Sequence, residues 1–295
     1  MRSHSIRLAT ILLFLALTNF SANVARTREH NEPVNEKDIF GHARRPCPCL
    51  LKKSIETEGQ KKTEANYIYD GTGRLVKVQA KEGGALQTLG TISYTKEGNI
   101  ASVDGPLNFF GIKFYYGEDN RLEKITYHRD GNPTLEMETV DFSYRGDTIV
   151  EARRKDNQMV GNESICTYLF DKDYNLIKAT GVTKKNTEES IDGEITFEFH
   201  PGVYNYSLSG GDFRYFTLLL CQTTGFNEGS FFPSTTHLVK RQNFIDYNGD
   251  KIRSERIAFD VVVNAKNKFN FPTSISYLHK DGQPNTSTEL TYECK

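Results

Sequence analysis

The chain of 295 residues has no tryptophan and no surplus of either charge: 37 lysines and arginines stand against 38 aspartates and glutamates, a formal net charge of -1. Proteins that bind nucleic acid neutralise its phosphates with a basic surplus, so nucleic acid is not an expected partner. No apolar run reaches the roughly 20 residues of a membrane-spanning helix. The run from Leu8 to Leu17 is about half that length, follows Arg2 and Arg7, and precedes the small residues Ala22 and Ala25. A positive start, a short apolar stretch and a small-residue cleavage site make a secretory leader. Residues 1–25 are therefore expected to be a signal peptide. Residues 26–48, polar and broken by Pro33, Pro46 and Pro48, are expected to be a disordered linker. The mature chain is expected to be exported: periplasmic, in the outer envelope, or extracellular.

Catalytic and ligand-holding motifs are equally scarce. The seven histidines are scattered and form no zinc-protease pair. Ser209 precedes Gly210 and Gly211 but lacks the preceding glycine of a nucleophile elbow. Asp171-Lys172-Asp173-Tyr174-Asn175 opens like a calcium loop, yet the glycine and distal glutamate of such a loop are missing at their spacing, which leaves turn chemistry as its reading. No catalytic, cofactor-binding or metal-ligating residue is assigned, and the expected class is non-enzymatic.

What the sequence does hold is a strand-forming repeat. Fifteen tyrosines and nineteen phenylalanines make the chain rich in aromatics, and helical periodicity is hard to find in it. In Tyr67 to Ala80, YIYDGTGRLVKVQA, aromatic and β-branched residues suit a pleated surface, and Gly71 and Gly73 suit a tight turn. Strands joined by so short a connection must be antiparallel neighbours. The pattern of an aromatic before the turn and an aliphatic six positions later returns as Tyr69 with Leu75, Tyr94 with Ile100, Tyr116 with Leu122 and Phe170 with Leu176. Tyr144 with Val150 fits after a shift of one at Ile149. A second apolar residue comes three positions after each aliphatic: Val78, Val103, Ile125 and Ala179. An odd spacing changes face unless a bulge intervenes, so these strands are expected to begin bulged or twisted.

Between repeats, the connections Lys81 to Gln87, His128 to Glu136 and Thr183 to Asp192 read as longer and polar, placing short turns at one end of the sheet and longer loops at the other. Beyond His200 the pattern loosens. FRYFTLLLC, Phe213 to Cys221, is a continuous apolar run that reads as a buried strand, with a short helix as the alternative that periodicity alone does not separate, and further strands follow at Phe244 to Tyr247, Ile257 to Val263, Ser274 to Tyr277 and Leu290 to Cys294. The total is about 16 strands, and an open sheet of that size usually curls, splits or closes. The expected fold is all-β: one domain over residues 49–295, an antiparallel up-and-down meander of repeated hairpins forming a closed barrel or a strongly curved sheet.

YIYDGTGRLVKV resembles the tyrosine-aspartate repeats of the RHS type. The chain from CLLKKSI to the terminal TYEC is similar to a family of secreted bacterial proteins, a domain of unknown function with a porin-like fold. The resemblance implies an antiparallel barrel or curved meander in a Gram-negative envelope and carries no activity or functional residue with it.

Five cysteines in an exported chain point to disulfides. Cys49 opens the first strand, Leu50 to Glu56, and Cys294 ends the last. Closure would make those strands neighbours, so Cys49–Cys294 is the expected bond across the seam, with Cys47 as the alternative partner. Cys166 and Cys221 are the second expected pair. For function, the sequence supports an exported binding or structural module whose partner is a glycan, a peptide or an envelope protein, with no cofactor. An outer-membrane channel and a soluble barrel carrying an apolar ligand are the alternatives. Against the channel, the strands visible in the sequence, such as Tyr67 to Tyr69 and Leu75 to Gln79, fall short of the roughly 9 to 11 residues that cross a bilayer. Membrane association is therefore not expected.

Overall fold

The computed structural model describes residues 49–294 apart from 83, 106–109, 130–135, 157–161, 174, 186–187, 205–236, 249–250 and 279–283. The expected leader and linker, Cys47, Ser209, the Phe213–Cys221 strand and Cys221 therefore lie outside the described residues. Sixteen strands are described: β1 (Cys49–Glu58), β2 (Lys61–Tyr69), β3 (Leu75–Glu82), β4 (Gln87–Tyr94), β5 (Ile100–Asp104), β6 (Phe110–Tyr116), β7 (Leu122–Arg129), β8 (Glu136–Arg145), β9 (Ile149–Asp156), β10 (Asn162–Phe170), β11 (Leu176–Lys185), β12 (Glu188–Tyr204), β13 (His237–Asn248), β14 (Lys251–Lys266), β15 (Pro272–Leu278) and β16 (Pro284–Cys294). Each pairs antiparallel with its neighbours in sequence, and β16 pairs with β1. The meander is a closed barrel.

The repeated hairpins follow from one turn. In Asp70–Arg74, Thr95–Asn99, Gly117–Arg121, Asp171–Asn175 and Asn267–Phe271, the amide of the first residue donates to the carbonyl of the fifth. The fourth position takes positive φ where described: 84° at Gly73, 94° at Gly98, 65° at Asn120 and 63° at Asn270. Glycine and asparagine are the residues that reach this region at least cost. At the first position, Asp70 Oδ1 accepts the amides of Thr72 and Arg74, and Asp171 Oδ1 accepts those of Asp173 and Asn175. Asn267 Oδ1 does the same for Phe269 and Phe271. The aspartate of the repeat is thus an Asx-turn residue.

The expected pairs stand opposite one another in register: Tyr69 with Leu75, Tyr94 with Ile100, Tyr116 with Leu122, Tyr144 with Val150 and Phe170 with Leu176. A bulge at Val76, Ala101, Glu123 and Ile177 follows the aliphatic in four of these units. It lets Leu75 and Val78, Ile100 and Val103, Leu122 and Ile125, and Leu176 and Ala179 all face the interior. The β8–β9 hairpin has no register shift, and there the two buried residues, Val150 and Ala152, are an even two apart. Spacing in sequence and bulge in structure are the same fact.

Three expectations change. Strands are longer than their most obvious residues: β2 has 9, β3 has 8, β12 has 17 and β14 has 16, because polar residues on the outer face continue the pleat. Strands such as β2, β12 and β14 thus reach the roughly 9 to 11 residues that cross a bilayer, while β3 with 8 and β5 with 5 stay short of it. The stretch Thr183 to Asp192 is strand on both sides of residues 186–187 rather than a long connection. Finally, connections do not sort cleanly by length. Tyr204, which ends β12, and His237, which begins β13, lie at the end that carries the short turns and the Cys49–Cys294 bond, since Tyr204 N–H donates to Asn270 O and His237 N–H to Asn175 Oδ1.

Candidate functional site

The wall of the barrel separates two chemistries. Inward residues from every strand form one apolar cluster, among them Leu51, Leu75, Leu122, Tyr168, Ile195 and Ile275. The outer face is laced with ion pairs: Lys53–Glu64 at 2.7 Å, Arg153–Glu163 at 2.8 Å, Arg241–Asp260 at 2.6 Å, Lys155–Asp141 at 3.2 Å. Exposed pairs of this kind add little stability each, but they keep the surface compatible with water. Among the described residues, Ile252, Ile257, Val262, Ile68 and Tyr115 are the large apolar residues exposed on strands.

The inward face is not apolar throughout. Toward the end opposite the disulfide, Glu138 and Arg154 face inward and pair at 2.7 Å, both largely buried. Arg256 lies over the ring of Phe244 at 4.8 Å and donates to Ser254 Oγ. On β1, Ser54 shares a 2.7 Å hydrogen bond with the Tyr67 hydroxyl. Two residues further along the same face comes Glu56, opposite Thr288 of β16 and Thr63 of β2. Burial pushes the Glu56 carboxyl up to about 7, and the like charge of Glu58 adds to the rise. Deeper in the wall, Gln242 is fully buried opposite Phe197, and neither its Nε2 nor its Oε1 has a hydrogen-bond partner among the described residues.

These inward polar residues escaped the sequence reading, which followed aromatics and aliphatics. Their signal was parity: Glu56 continues the inward alternation after Ser54, Glu138 precedes Val140 and Phe142, and Gln242 precedes Phe244 by two. The disulfide candidates fall out differently. Cys49 and Cys294 are directly opposite in register and bonded, their Cα atoms 4.0 Å apart. Cys166 is buried on β10 opposite Ala152 and Gly181, and its expected partner Cys221 lies outside the described residues. Asp171 engages its carboxylate within its own turn. His128, next to the last residue of β7, is buried with Nε2 3.0 Å from Thr126 Oγ1, and His200 Nε2 lies 2.8 Å from Val261 O.

No protein-family model matches the chain, and no curated protein matches it. Among solved structures, a porin-like protein from Bacteroides vulgatus is similar to it with a TM-score of 0.52 at 16% identity, over 83% of this chain and 98% of the other. A porin-like protein from Bacteroides uniformis aligns over 84% of this chain and 98% of the other, at 15% identity and a TM-score of 0.39. At such identity the first likeness speaks for the fold alone. It agrees with the closed antiparallel barrel and with the porin-like fold that the sequence resembled.

Proposed function

We propose that this chain is an exported, non-enzymatic barrel that works in aqueous medium as a rigid binding or structural module, with a glycan, a peptide or an envelope protein as its partner. The observation that carries this reading is the direction of polarity across the wall. A barrel that spans a lipid bilayer turns an apolar band outward and a polar lumen inward. Here Leu75, Ile100, Leu122 and Val150 are inward and buried, while Lys53, Arg153 and Arg241 are outward and ion-paired. Placing those outer charges against hydrocarbon would cost about 2–4 kcal/mol for each basic residue near the midplane. Export is supported by the leader-like start of the sequence and by the Cys49–Cys294 bond, because disulfides persist in oxidising compartments. A rigid β scaffold with short turns on its rim is suited to recognition by surface and loop residues. Kinship with tyrosine-aspartate repeats belongs to this proposal as a likeness of local hairpin pattern.

Fractionation tests the reading. The full chain expressed in a Gram-negative host should appear in the osmotic-shock fluid or the medium and stay monodisperse without detergent. Recovery only from detergent-solubilised outer membrane would overturn it in favour of the channel.

A further inference from the structure

The covalent end of the seam is asymmetric. Cys49 and Cys294 stand opposite in register and are bonded, yet Cys49 is fully buried while Cys294 is exposed. A side chain from a neighbouring turn attends both sulfurs. Asn267 opens the turn between β14 and β15, and its Oδ1 accepts the amides of Phe269 and Phe271. Two backbone donors on one side-chain atom identify that atom as the oxygen, so the atom turned the other way is the amide nitrogen. Asn267 Nδ2 donates to Cys49 Sγ at 3.8 Å and to Cys294 Sγ at 3.7 Å. The sister turns show what distinguishes this residue. Asp70 and Asp171 fill the same position and accept the same two turn amides, while their second oxygens accept from Arg74 Nε and Asn175 Nδ2. Where the second atom meets a disulfide instead of a donor, the residue is asparagine. Bonded sulfur is a weak acceptor and gains little from that amide. A thiolate is a charged acceptor, and hydrogen bonds to charged groups are roughly twice as strong as neutral ones. The amide therefore favours the product of cleavage over the intact bond.

We propose that Cys294 is a site of reversible modification by thiol exchange, in which the thiolate of a small thiol attacks Cys294 Sγ and Cys49 leaves as a thiolate received by the Asn267 amide. Which sulfur is attacked depends on access and on the leaving thiol, and both choose Cys294. Attack on Cys49 would have to reach a fully buried residue, whereas Cys294 is exposed. Glu293, the acid beside Cys294, is paired with Lys52 at 2.7 Å, which tempers its repulsion of an approaching anion. The step balances. The small thiol gives its proton to solvent, its sulfur bonds to Cys294 Sγ as the Cys49–Cys294 bond breaks, and the electron pair of that bond stays on Cys49 Sγ, which solvent protonates. The ladder from Lys53–Thr291 to Glu58–Thr286 is untouched, so the barrel carries the adduct closed. Cys49, still opposite Cys294, reverses the step by attacking the mixed disulfide and expelling the small thiol. This chemistry is independent of what the barrel binds.

The native full chain is incubated with 2-mercaptoethanol, samples are quenched with iodoacetamide, and the cysteine peptides are mapped by mass spectrometry, with fragment spectra separating Cys49 from Cys47. The mixed disulfide should lie on Cys294 and the alkyl group on Cys49, with the adduct on Cys294 in about tenfold excess or more over that on Cys49. The rate should be first order in thiol and unchanged by urea below the unfolding transition, because exchange that waits for the chain to open accelerates with urea. Asn267→Asp, the residue of the sister turns, keeps the turn acceptor and loses the donor; Asn267→Ser loses the donor without adding charge. Both should slow exchange about 3- to 10-fold, whereas a change that merely loosened the turn would speed it. Adducts on Cys49 or shared equally, no exchange without urea, or variants that exchange as fast as the wild type overturn the proposal. A slowing confined to Asn267→Asp would assign the effect to charge and overturn the part given to the amide. Should neither variant fold, the position of the adduct and the urea dependence in the wild-type chain decide alone.

Discussion

The hydroxyl of Tyr69 donates a 2.7 Å hydrogen bond to the carbonyl oxygen of Leu51 on β1, one hairpin back along the wall. Tyr94 does the same to Leu75 at 2.7 Å, Tyr144 to Leu122 at 2.6 Å, and Tyr292 to Pro272 at 2.8 Å. Cations cover several of these rings: Lys52 over Tyr69, Arg74 over Tyr94 and Arg121 over Tyr144. In these four repeats the aromatic therefore ties its own hairpin to the preceding one, beside the turn, whereas Phe170 has no hydroxyl to do so. The repeat is a unit of assembly as well as of folding.

Removing one tie tests this. Tyr94→Phe keeps the ring beneath Arg74 and deletes only the bond to Leu75 O. The expected loss is about 0.5–1.5 kcal/mol, the net worth of an ordinary hydrogen bond, measured by urea unfolding. Tyr144→Phe should behave alike. No loss at either site would mean that the rings alone hold the hairpins together.

Leu122 is fully buried next to the bulge at Glu123. Leu122→Ala should cost about 2–5 kcal/mol, the transfer term plus the cavity it leaves. A loss below about 1 kcal/mol in the same melts would show that the inner row at this end tolerates voids.

The sequence carried the architecture because the architecture is periodic. Tyr69 with Leu75, and its repeats, located the turns, the partners and even the bulges, since a three-residue step from Leu75 to Val78 is possible on one face only with an inserted residue. Cys49 and Cys294 marked the seam for the same reason: in a closed meander the ends of the chain must meet. Polar residues inside the wall were not visible in this way. Glu56, Glu138 and Gln242 are of types that ordinarily face water, and only their parity relative to buried neighbours sets them inward. Strand lengths were underestimated for a related reason, because an outward lysine or glutamate looks like loop until its neighbours are paired. Asn175 shows a further limit: its side chain accepts the His237 amide across 62 residues, a contact that no local pattern announces.

Gln242 offers a gain rather than a loss. Its amide is fully buried without a partner among the described residues, and an unmet buried polar group costs about 1–3 kcal/mol. Gln242→Met is close in volume and flexible enough to fill the same space. It should raise the urea midpoint by an amount equivalent to about 1–2 kcal/mol. A destabilised variant would show instead that the amide is satisfied in solution and contributes to the wall.

The last expectation concerns the covalent end of the seam. The Cys49–Cys294 bond joins residues 245 apart in sequence, so it withholds a very large loop from the unfolded ensemble. Loop-closure entropy for a ring of that size amounts to about 5 kcal/mol as an upper figure, with native strain subtracting from it. Yet the bond is not what pairs the strands: β1 and β16 remain in register from Lys53–Thr291 to Glu58–Thr286, on the far side of the bulge. Reduction, or Cys294→Ser, should therefore leave the far-ultraviolet circular dichroism unchanged while lowering the urea midpoint. It should also raise exchange first at Leu50, Leu51 and Tyr292, the residues nearest the lost bond. If the strand signal collapsed with reduction, the hydrogen-bonded seam would be too weak to close the barrel unaided. An unchanged midpoint, with both thiols confirmed free, would show that the junction is already held by its ladder and its inner row.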